Sequence, residues 1–243
     1  MAEDTIKRMC LIEEVRCSIF LIQEGLISLN QLTGSNDFYH LPLLLLASGF
    51  ERLLKMIICL GNLEKYGKFP IKNKYFKGIA GHNIEKLLEL VMDSVKTWNY
   101  SYKYLATKDD IDFIKENSDL KEFIELLSSF GMESRYYNIN IILGSTSNKL
   151  HNPKKMFDKF CFKIIKRNQN WIDKIQYPQI DETIKEFNKY LTYLIQRLAR
   201  ALCRMFKSGK LGELGKSLTG INSSFLYLSD DDLYNINQDW FKK

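Results

Sequence analysis

The sequence has few of the residues that interrupt helices and no pattern that marks export or membrane insertion. It contains only 4 Pro and 13 Gly in 243 residues, too few turn residues for a many-stranded fold. Its longest apolar run, LPLLLLASGF, is shorter than a bilayer-spanning helix and leads directly into Glu51 and Arg52. The N-terminus carries early acidic residues, unlike a signal peptide. We therefore expect a cytoplasmic protein without a membrane partner.

The five cysteines are odd in number, and no two of them have CxxC spacing. Structural zinc sites and dithiol redox motifs need paired cysteines, so neither is predicted. The sequence also lacks a glycine-rich phosphate loop, HExxH and GxSxG. We expect no metal and no cofactor, and we interpret the cysteines as free thiols in a reducing compartment.

The composition that remains is that of a folded protein with a mild positive charge. Hydrophobic residues make up 45% of the chain and charged residues 26%, which is typical of globular domains. Lys and Arg outnumber Asp and Glu by 35 to 29. An excess of this size permits a polyanionic partner such as RNA without requiring one.

Apolar residues recur at helical spacing along most of the chain. The stripe from Ile12 to Leu29 predicts a long first helix, and a nearly all-apolar second helix is predicted from about Leu41 to Leu60. The last long helix is expected to follow Pro178 and to end at Gly209. Further helices are predicted to begin near the cap candidates Asn83, Thr107, Asp119 and Asn152.

These patterns predict an all-α fold, a helical bundle of about six to eight helices with a long C-terminal helix. The bundle is expected to span residues 1–210. Residues 211–243 are expected to form a C-terminal extension, with a short terminal helix in the acidic stretch DDDLYNINQDWF. The segment RYYNINIILG is rich in β-branched and aromatic residues and is expected to be irregular or extended.

Three short motifs occur in order between Ala47 and Arg135. ASGFERLLKMII places an acidic residue before an apolar and basic run, AGHNIEKLLELV places His–Asn–aliphatic at a helix start, and ESRYYNIN contains Arg-Tyr after a helix. Together they resemble the HEPN superfamily (higher eukaryote and prokaryote nucleotide-binding domains). The resemblance implies a helical bundle that acts on RNA in a toxin–antitoxin or phage-defence setting. It also implies a homodimer.

The chain departs from that superfamily at the catalytic pair. Ribonuclease members carry an Arg about a helical turn and a half before a His, so that both side chains reach one phosphate. None of the seven residues before His40, His82 or His151 is an Arg. Three functions therefore stay open: a protein that binds RNA or a protein partner without that pair, a metal-independent endoribonuclease, and a structural helical adaptor.

His82 and Arg135 are the candidate catalytic residues for the ribonuclease. A neutral imidazole can take the proton from an RNA 2′-hydroxyl. An Arg can bind the phosphate and stabilise the charge that develops on it. The alternatives are structural: His82 would pack at a helix start, and Arg135 would pair with Glu133 or with helix carbonyl groups.

Two helices carry rows of cations that are candidates for nucleic-acid binding. The candidate residues are Arg197, Arg200, Arg204 and Lys207 on the last long helix and Lys155 and Lys159 on the helix before it. On the last helix, steps of three, four and three residues align the cations on one face. Exposed together, the two rows would form a groove for an RNA backbone, with salt-sensitive binding. The alternative is a solvated face that only complements the helix dipole.

Overall fold

A computed structural model describes residues 2–70, 76, 81–97, 105–132, 134–144, 152–174 and 180–236. Within these residues the chain forms eleven α-helices and one 3₁₀ turn, and it forms no strand. The predicted all-α fold is therefore confirmed. Seven of these helices have 12 or more residues. Four short helices raise the number above the expected range.

The helices follow one another along the whole described chain. They are α1 (Ala2–Asn30), α2 (His40–Tyr66), α3 (Ile84–Thr97), α4 (Leu105–Glu116), α5 (Ser118–Met132), α6 (Tyr137–Ile142), α7 (Pro153–Ile165), α8 (Gln169–Lys174), α9 (Ile180–Lys207), α10 (Gly212–Ser217) and α11 (Ser223–Leu226). The 3₁₀ turn, Ser134–Tyr136, precedes α6. The irregular or extended structure expected for RYYNINIILG is therefore wrong. Strand propensity reflects packing on a pleated surface, and the described residues contain no sheet that could provide one.

The antiparallel pair of α1 and α2 forms the centre of the fold. A Cβ atom on Gly49 would lie 3.0 Å from the amide nitrogen of Ile22, and one on Gly25 would lie 2.7 Å from Cγ of Leu46. The two glycines therefore allow the helices to approach more closely than larger residues would. From this position α2 also contacts α3, α5, α9 and α10. No helix in the described part of the chain is long and apolar enough to cross a membrane.

Local sequence signals located most helix starts correctly. The side chain of Asn83 caps α3 by accepting from the Lys86 amide at 2.9 Å, and Asn152 caps α7 in the same way. The caps predicted at Thr107 and Asp119 are wrong: α4 already begins at Leu105, and Asn117 caps α5 by accepting from the Leu120 amide. In the first helix, one residue of the predicted apolar stripe is not buried. Ile12 is 44% exposed, and its neighbour Leu11 is buried instead.

Residues 211–236 pack against the bundle. Apolar side chains of this segment share its core: Leu211, Leu218, Phe225, Leu226, Leu228 and Leu233. The helices α10 and α11 both contact α9. Residues 227–236 are not helical, so the described part of the stretch DDDLYNINQDWF does not form the terminal helix that we predicted. Residues 237–243 of that prediction lie outside the described residues.

Candidate functional site

An exposed histidine and a mostly buried glutamate meet beside the N-terminus of α3. The Nδ1–H of His82 donates to both carboxylate oxygens of Glu51, at 3.0 and 2.9 Å. The side chain of Glu51 is 15% exposed and that of His82 is 53% exposed. Because a carboxylate can only accept, Nδ1 must carry the hydrogen. In the neutral ring, Nε2 is therefore left as the nitrogen that can accept a proton.

Lys55 binds the same carboxylate from the next turn of α2. Its Nζ donates to Oε1 of Glu51 at 2.6 Å, and the ammonium group lies 5.5 Å from the ring centre of Phe76. The Glu51 carboxylate thus has a hydrogen-bond donor on each side. These partners offset the free-energy cost of holding a carboxylate largely out of water. We call His82, Glu51 and Lys55 the His82 site.

The backbone at His82 is held closely against α5. A Cβ atom on Gly131 would lie 3.3 Å from the carbonyl oxygen of His82, so α5 approaches the backbone of His82 closely at this glycine. The hydroxyl of Ser128 accepts from the Glu85 amide at 2.7 Å, in the first turn of α3. Together with the Asn83 cap, these contacts fix the start of α3 relative to α5 and bring the imidazole to α2.

Arg135 is not part of the His82 site. Among the described residues, no hydrogen bond, ion pair or ring contact joins it to His82 or Glu51. Its guanidinium group lies 4.9 Å from the ring centre of Tyr136, and its buried Nε has no hydrogen-bond partner in the part of the chain that the structure describes. Glu133, the partner in the structural alternative, lies outside the described residues. The partner of His82 in the structure is therefore Glu51, which was not among the predicted site residues, although it lies within the motif ASGFERLLKMII.

The row of cations on α9 is largely covered by other parts of the chain. Arg200 is 4% exposed, pairs with Asp230 at 2.7 Å and donates to the carbonyl oxygen of Leu228 at 3.1 Å. Arg204 donates to the carboxylate of Asp110 at 2.8 Å. The free cationic face predicted for this helix is therefore wrong at Arg200 and Arg204, whereas Lys207 is exposed and nucleic-acid binding by Arg197 and Lys207 stays a prediction. A buried guanidinium is stable only beside a group that neutralises it, and acidic side chains of this chain fill that role.

The other two cations of the row lie against aromatic rings. The guanidinium group of Arg197 lies 4.2 Å from the ring centre of Phe113, and it donates to the hydroxyl of Tyr193 at 2.5 Å. The ammonium group of Lys207 lies 5.0 Å from the ring centre of Tyr227. Neither cation forms an ion pair with a described residue. Cation–π contacts stabilise both positions without neutralising their charge.

The cations of α7 do not form a continuous free row. Lys155 and Lys159 are exposed and form no ion pair with the described residues. Lys163, one turn further along, pairs with Glu122 of α5. The charge of the row is therefore partly neutralised, and nucleic-acid binding by Lys155 and Lys159 stays a prediction.

The chemistry that the His82 site can support is proton transfer. A carboxylate on Nδ1–H orients the ring and stabilises the imidazolium that forms when Nε2 takes a proton. Within the described ranges, no three His, Cys, Asp or Glu side chains converge as the ligands of a metal ion would. No family model matches the chain, and no curated protein or solved structure does so either.

Proposed function

We propose that this protein binds RNA and cleaves it without a metal ion, with His82 as the residue that transfers the proton. One observation carries the proposal: a half-exposed imidazole has its Nδ1–H held by both oxygens of the mostly buried Glu51. Such a pair fixes the tautomer and the orientation of the ring, as a general base requires. A histidine that only packed at a helix start would not need an exposed ring.

The proposed reaction is an internal transesterification. Nε2 of His82 takes the proton of the 2′-hydroxyl, the 2′-oxygen forms a bond to phosphorus, and the bond from phosphorus to the 5′-oxygen breaks. Water protonates the leaving 5′-oxygen, and the hydroxide that remains takes the proton back from the His82 imidazolium. The products are a 2′,3′-cyclic phosphate and a 5′-hydroxyl, and the neutral imidazole is restored. Glu51 stabilises the imidazolium, and Lys55 adds positive charge near the reacting phosphate.

The resemblance to the HEPN superfamily supports RNA as the substrate class. Glu51 lies in the stretch ASGFERLLKMII and His82 in AGHNIEKLLELV, two of the three stretches that carry the resemblance. A role in toxin–antitoxin systems or phage defence, and a homodimeric state, belong to the same proposal. Arg135 does not contact the His82 site in the described residues, so the proposal assigns it no catalytic step.

His82→Ala is expected to lower the rate of RNA cleavage by at least about 100-fold, because the proton acceptor is lost. Glu51→Gln is expected to lower it by about tenfold or more, because the amide cannot stabilise the imidazolium as a carboxylate does. The measurement is the cleavage of labelled single-stranded RNA in buffer with EDTA. Circular dichroism spectra of both variants establish that each is folded.

Arg52→Gln is a matched control for a charge change on α2. Arg52 follows Glu51 directly, but it pairs with Glu14 at 2.7 Å on the surface, where the two side chains are 44% and 40% exposed. This variant is expected to cleave at the wild-type rate. Cleavage that persists in His82→Ala, or wild-type protein that binds the RNA and leaves it intact, would contradict the catalytic proposal.

A second candidate function, a helical adaptor, is favoured by a different observation. Ile142 is 82% exposed and Leu143 is 77% exposed at the end of α6, next to the half-exposed Ile139. Exposed apolar patches of this kind mark surfaces that bind proteins. The partner proposed for this patch is a second copy of the chain, because the resemblance to the HEPN superfamily implies a homodimer.

Ile142→Asp is expected to convert such a dimer to a monomer, because it places a charge in the apolar contact. The measurement is the sedimentation of wild-type and variant protein over the same range of concentrations. A wild-type protein that stays monomeric throughout would contradict the adaptor formed by two copies, and it would leave the test of RNA cleavage unaffected.

A further inference from the structure

Residues 228–236 form a strap across α9, held by contacts to a fully buried side chain. The Nε2–H of Gln196 donates to the carbonyl oxygen of Asn235 at 2.6 Å, and Oε1 of Gln196 accepts from the amide of Tyr234 at 3.0 Å. Gln196 is 0% exposed, and Leu233 of the strap is 3% exposed. The strap is therefore docked on α9 in a defined register.

The strap brings an exposed acid to a buried cation. Arg200 is 5% exposed at its side chain, whereas the side chain of its partner Asp230 is 86% exposed. Nε of Arg200 is buried and has no hydrogen-bond partner in the described part of the chain, so the strap does not satisfy the guanidinium completely. An anion that can take two hydrogen bonds from the guanidinium, such as a phosphate, would suit this group better than one exposed carboxylate.

The strap also places one aromatic ring on another. Tyr234 stacks on Tyr193 of α9, with ring centres 4.5 Å apart and planes 12° from parallel. Tyr234 has a φ of 76°, and it is the one residue other than glycine with a positive φ in the described part of the chain. That conformation is unfavourable for a tyrosine. A nucleobase can stack on an exposed tyrosine ring in the same way.

A cleft beside the end of the strap continues this face of α9. Lys185 and Lys189 line the cleft together with Tyr234, and its volume is about 400 Å³. Both lysines are exposed, and neither forms an ion pair with the described residues. Steps of four residues place them on the same face of α9 as Tyr193 and Arg197. The face thus carries cations on both sides of an aromatic ring.

We infer that this face of α9 binds single-stranded RNA, and that the strap blocks it by occupying the positions of one phosphate and one base. Asp230 occupies the position in which a phosphate would bind Arg200, and the ring of Tyr234 occupies the position in which a base would stack on Tyr193. When RNA binds, the strap leaves α9, so the closed state lowers the apparent affinity. The site is separate from His82, and its test measures binding alone, so it can fail while cleavage is confirmed, or the reverse.

Asp230→Asn in the full-length chain tests this inference. Loss of the charged contact to Arg200 makes opening easier, and the variant is expected to bind fluorescein-labelled oligouridylate about tenfold more tightly than wild type. Fluorescence anisotropy measures the binding, which is expected to weaken steeply as salt is added. Asp231→Asn is the matched control, since it removes the same charge from an exposed neighbour that forms no hydrogen bond or ion pair with α9 among the described residues. The control is expected to bind as wild type does.

Two further readouts separate displacement of the strap from a general charge effect. Addition of the oligouridylate to wild-type protein is expected to speed hydrogen exchange at the Tyr234 amide, because its bond to Gln196 breaks. Equal affinities of the wild type, Asp230→Asn and Asp231→Asn would overturn the inference. So would exchange at Tyr234 that bound RNA leaves unchanged, or equally tight binding of oligoglutamate, which has no bases to stack. If Asp230→Asn does not fold, Tyr234→Gly tests the same tightening, because it removes the ring and suits the positive φ.

Discussion

Gly49→Ala is expected to destabilise the protein by about 3 kcal/mol and to lower its melting temperature by about 6–12 °C. The added Cβ would lie 2.7 Å from Cγ1 of Ile22, 3.0 Å from the amide nitrogen of that residue and 3.1 Å from the carbonyl oxygen of Ser18. Two of these atoms belong to the backbone of α1, so a change of side-chain rotamer cannot relieve the clash. The helices must move apart, which opens the core between them. Differential scanning calorimetry measures the effect.

Gly220→Ala is the matched control for that substitution. Among the described residues other than its two chain neighbours, no atom lies within 4 Å of the Cβ that it adds, and the residue is exposed. The free energy of unfolding of the Gly220→Ala variant is expected to stay within about 0.5 kcal/mol of the wild-type value. Equal melting temperatures for the two variants would contradict the close packing of α1 on α2.

Arg204→Met is expected to destabilise the protein by about 3 kcal/mol near neutral pH. Arg204 donates to Asp110 at 2.8 Å, and the carboxylate side chain is only 5% exposed. Without the guanidinium, the carboxylate keeps its charge away from water and has lost its ion-pair partner. Urea unfolding at several pH values measures the free energy of unfolding.

The loss of stability in Arg204→Met, relative to wild type, is expected to become smaller as the pH falls. Burial raises the pKa of Asp110 above its ordinary value, and the hydrogen bond and charge of Arg204 oppose that rise. Removal of Arg204 therefore raises the pKa of Asp110 further. Between the raised pKa of the folded state and the ordinary pKa of the unfolded state, only the folded state holds the proton. Stability therefore increases as the pH falls through the raised pKa towards the ordinary one.

The double variant Arg204→Met/Asp110→Asn provides the control for that pH dependence. It has no buried charge at this position, so it is expected to recover most of the lost stability at neutral pH. The additional stabilisation in acid should also disappear from it. A deficit in Arg204→Met that is the same at every pH would show that lost packing, and not the charge of Asp110, causes the destabilisation.

The helices could be predicted from the sequence because their signals are local. The caps at Asn83 and Asn152 act within one turn, and an apolar stripe is set by the period of a single helix. The partners of the functional side chains were not predictable in this way. His82 and Glu51 are 31 residues apart, and Arg204 and Asp110 are 94 residues apart, so each pair depends on how separate helices pack.

The row of cations on α9 shows where local spacing stops being informative. The spacing correctly predicts that Arg197, Arg200 and Arg204 share one side of the helix. Whether that side faces water depends on other parts of the chain: residues 228–236 cover Arg200, and Asp110 of α4 pairs with Arg204. The acidic run that begins at Asp230 was the available signal, since acids that follow a basic helix can serve as its partners.

The close approach of α1 and α2 also limits how the His82 site can respond to a substrate. Glu51 lies two residues after Gly49 in the same helix, close to a point where the backbones of α1 and α2 approach each other. This part of α2 therefore cannot move towards α1 when a ligand binds, so the position of the Glu51 carboxylate stays fixed. Any adjustment falls to the imidazole, which can rotate about its own side-chain bonds until Nε2 meets the incoming hydroxyl.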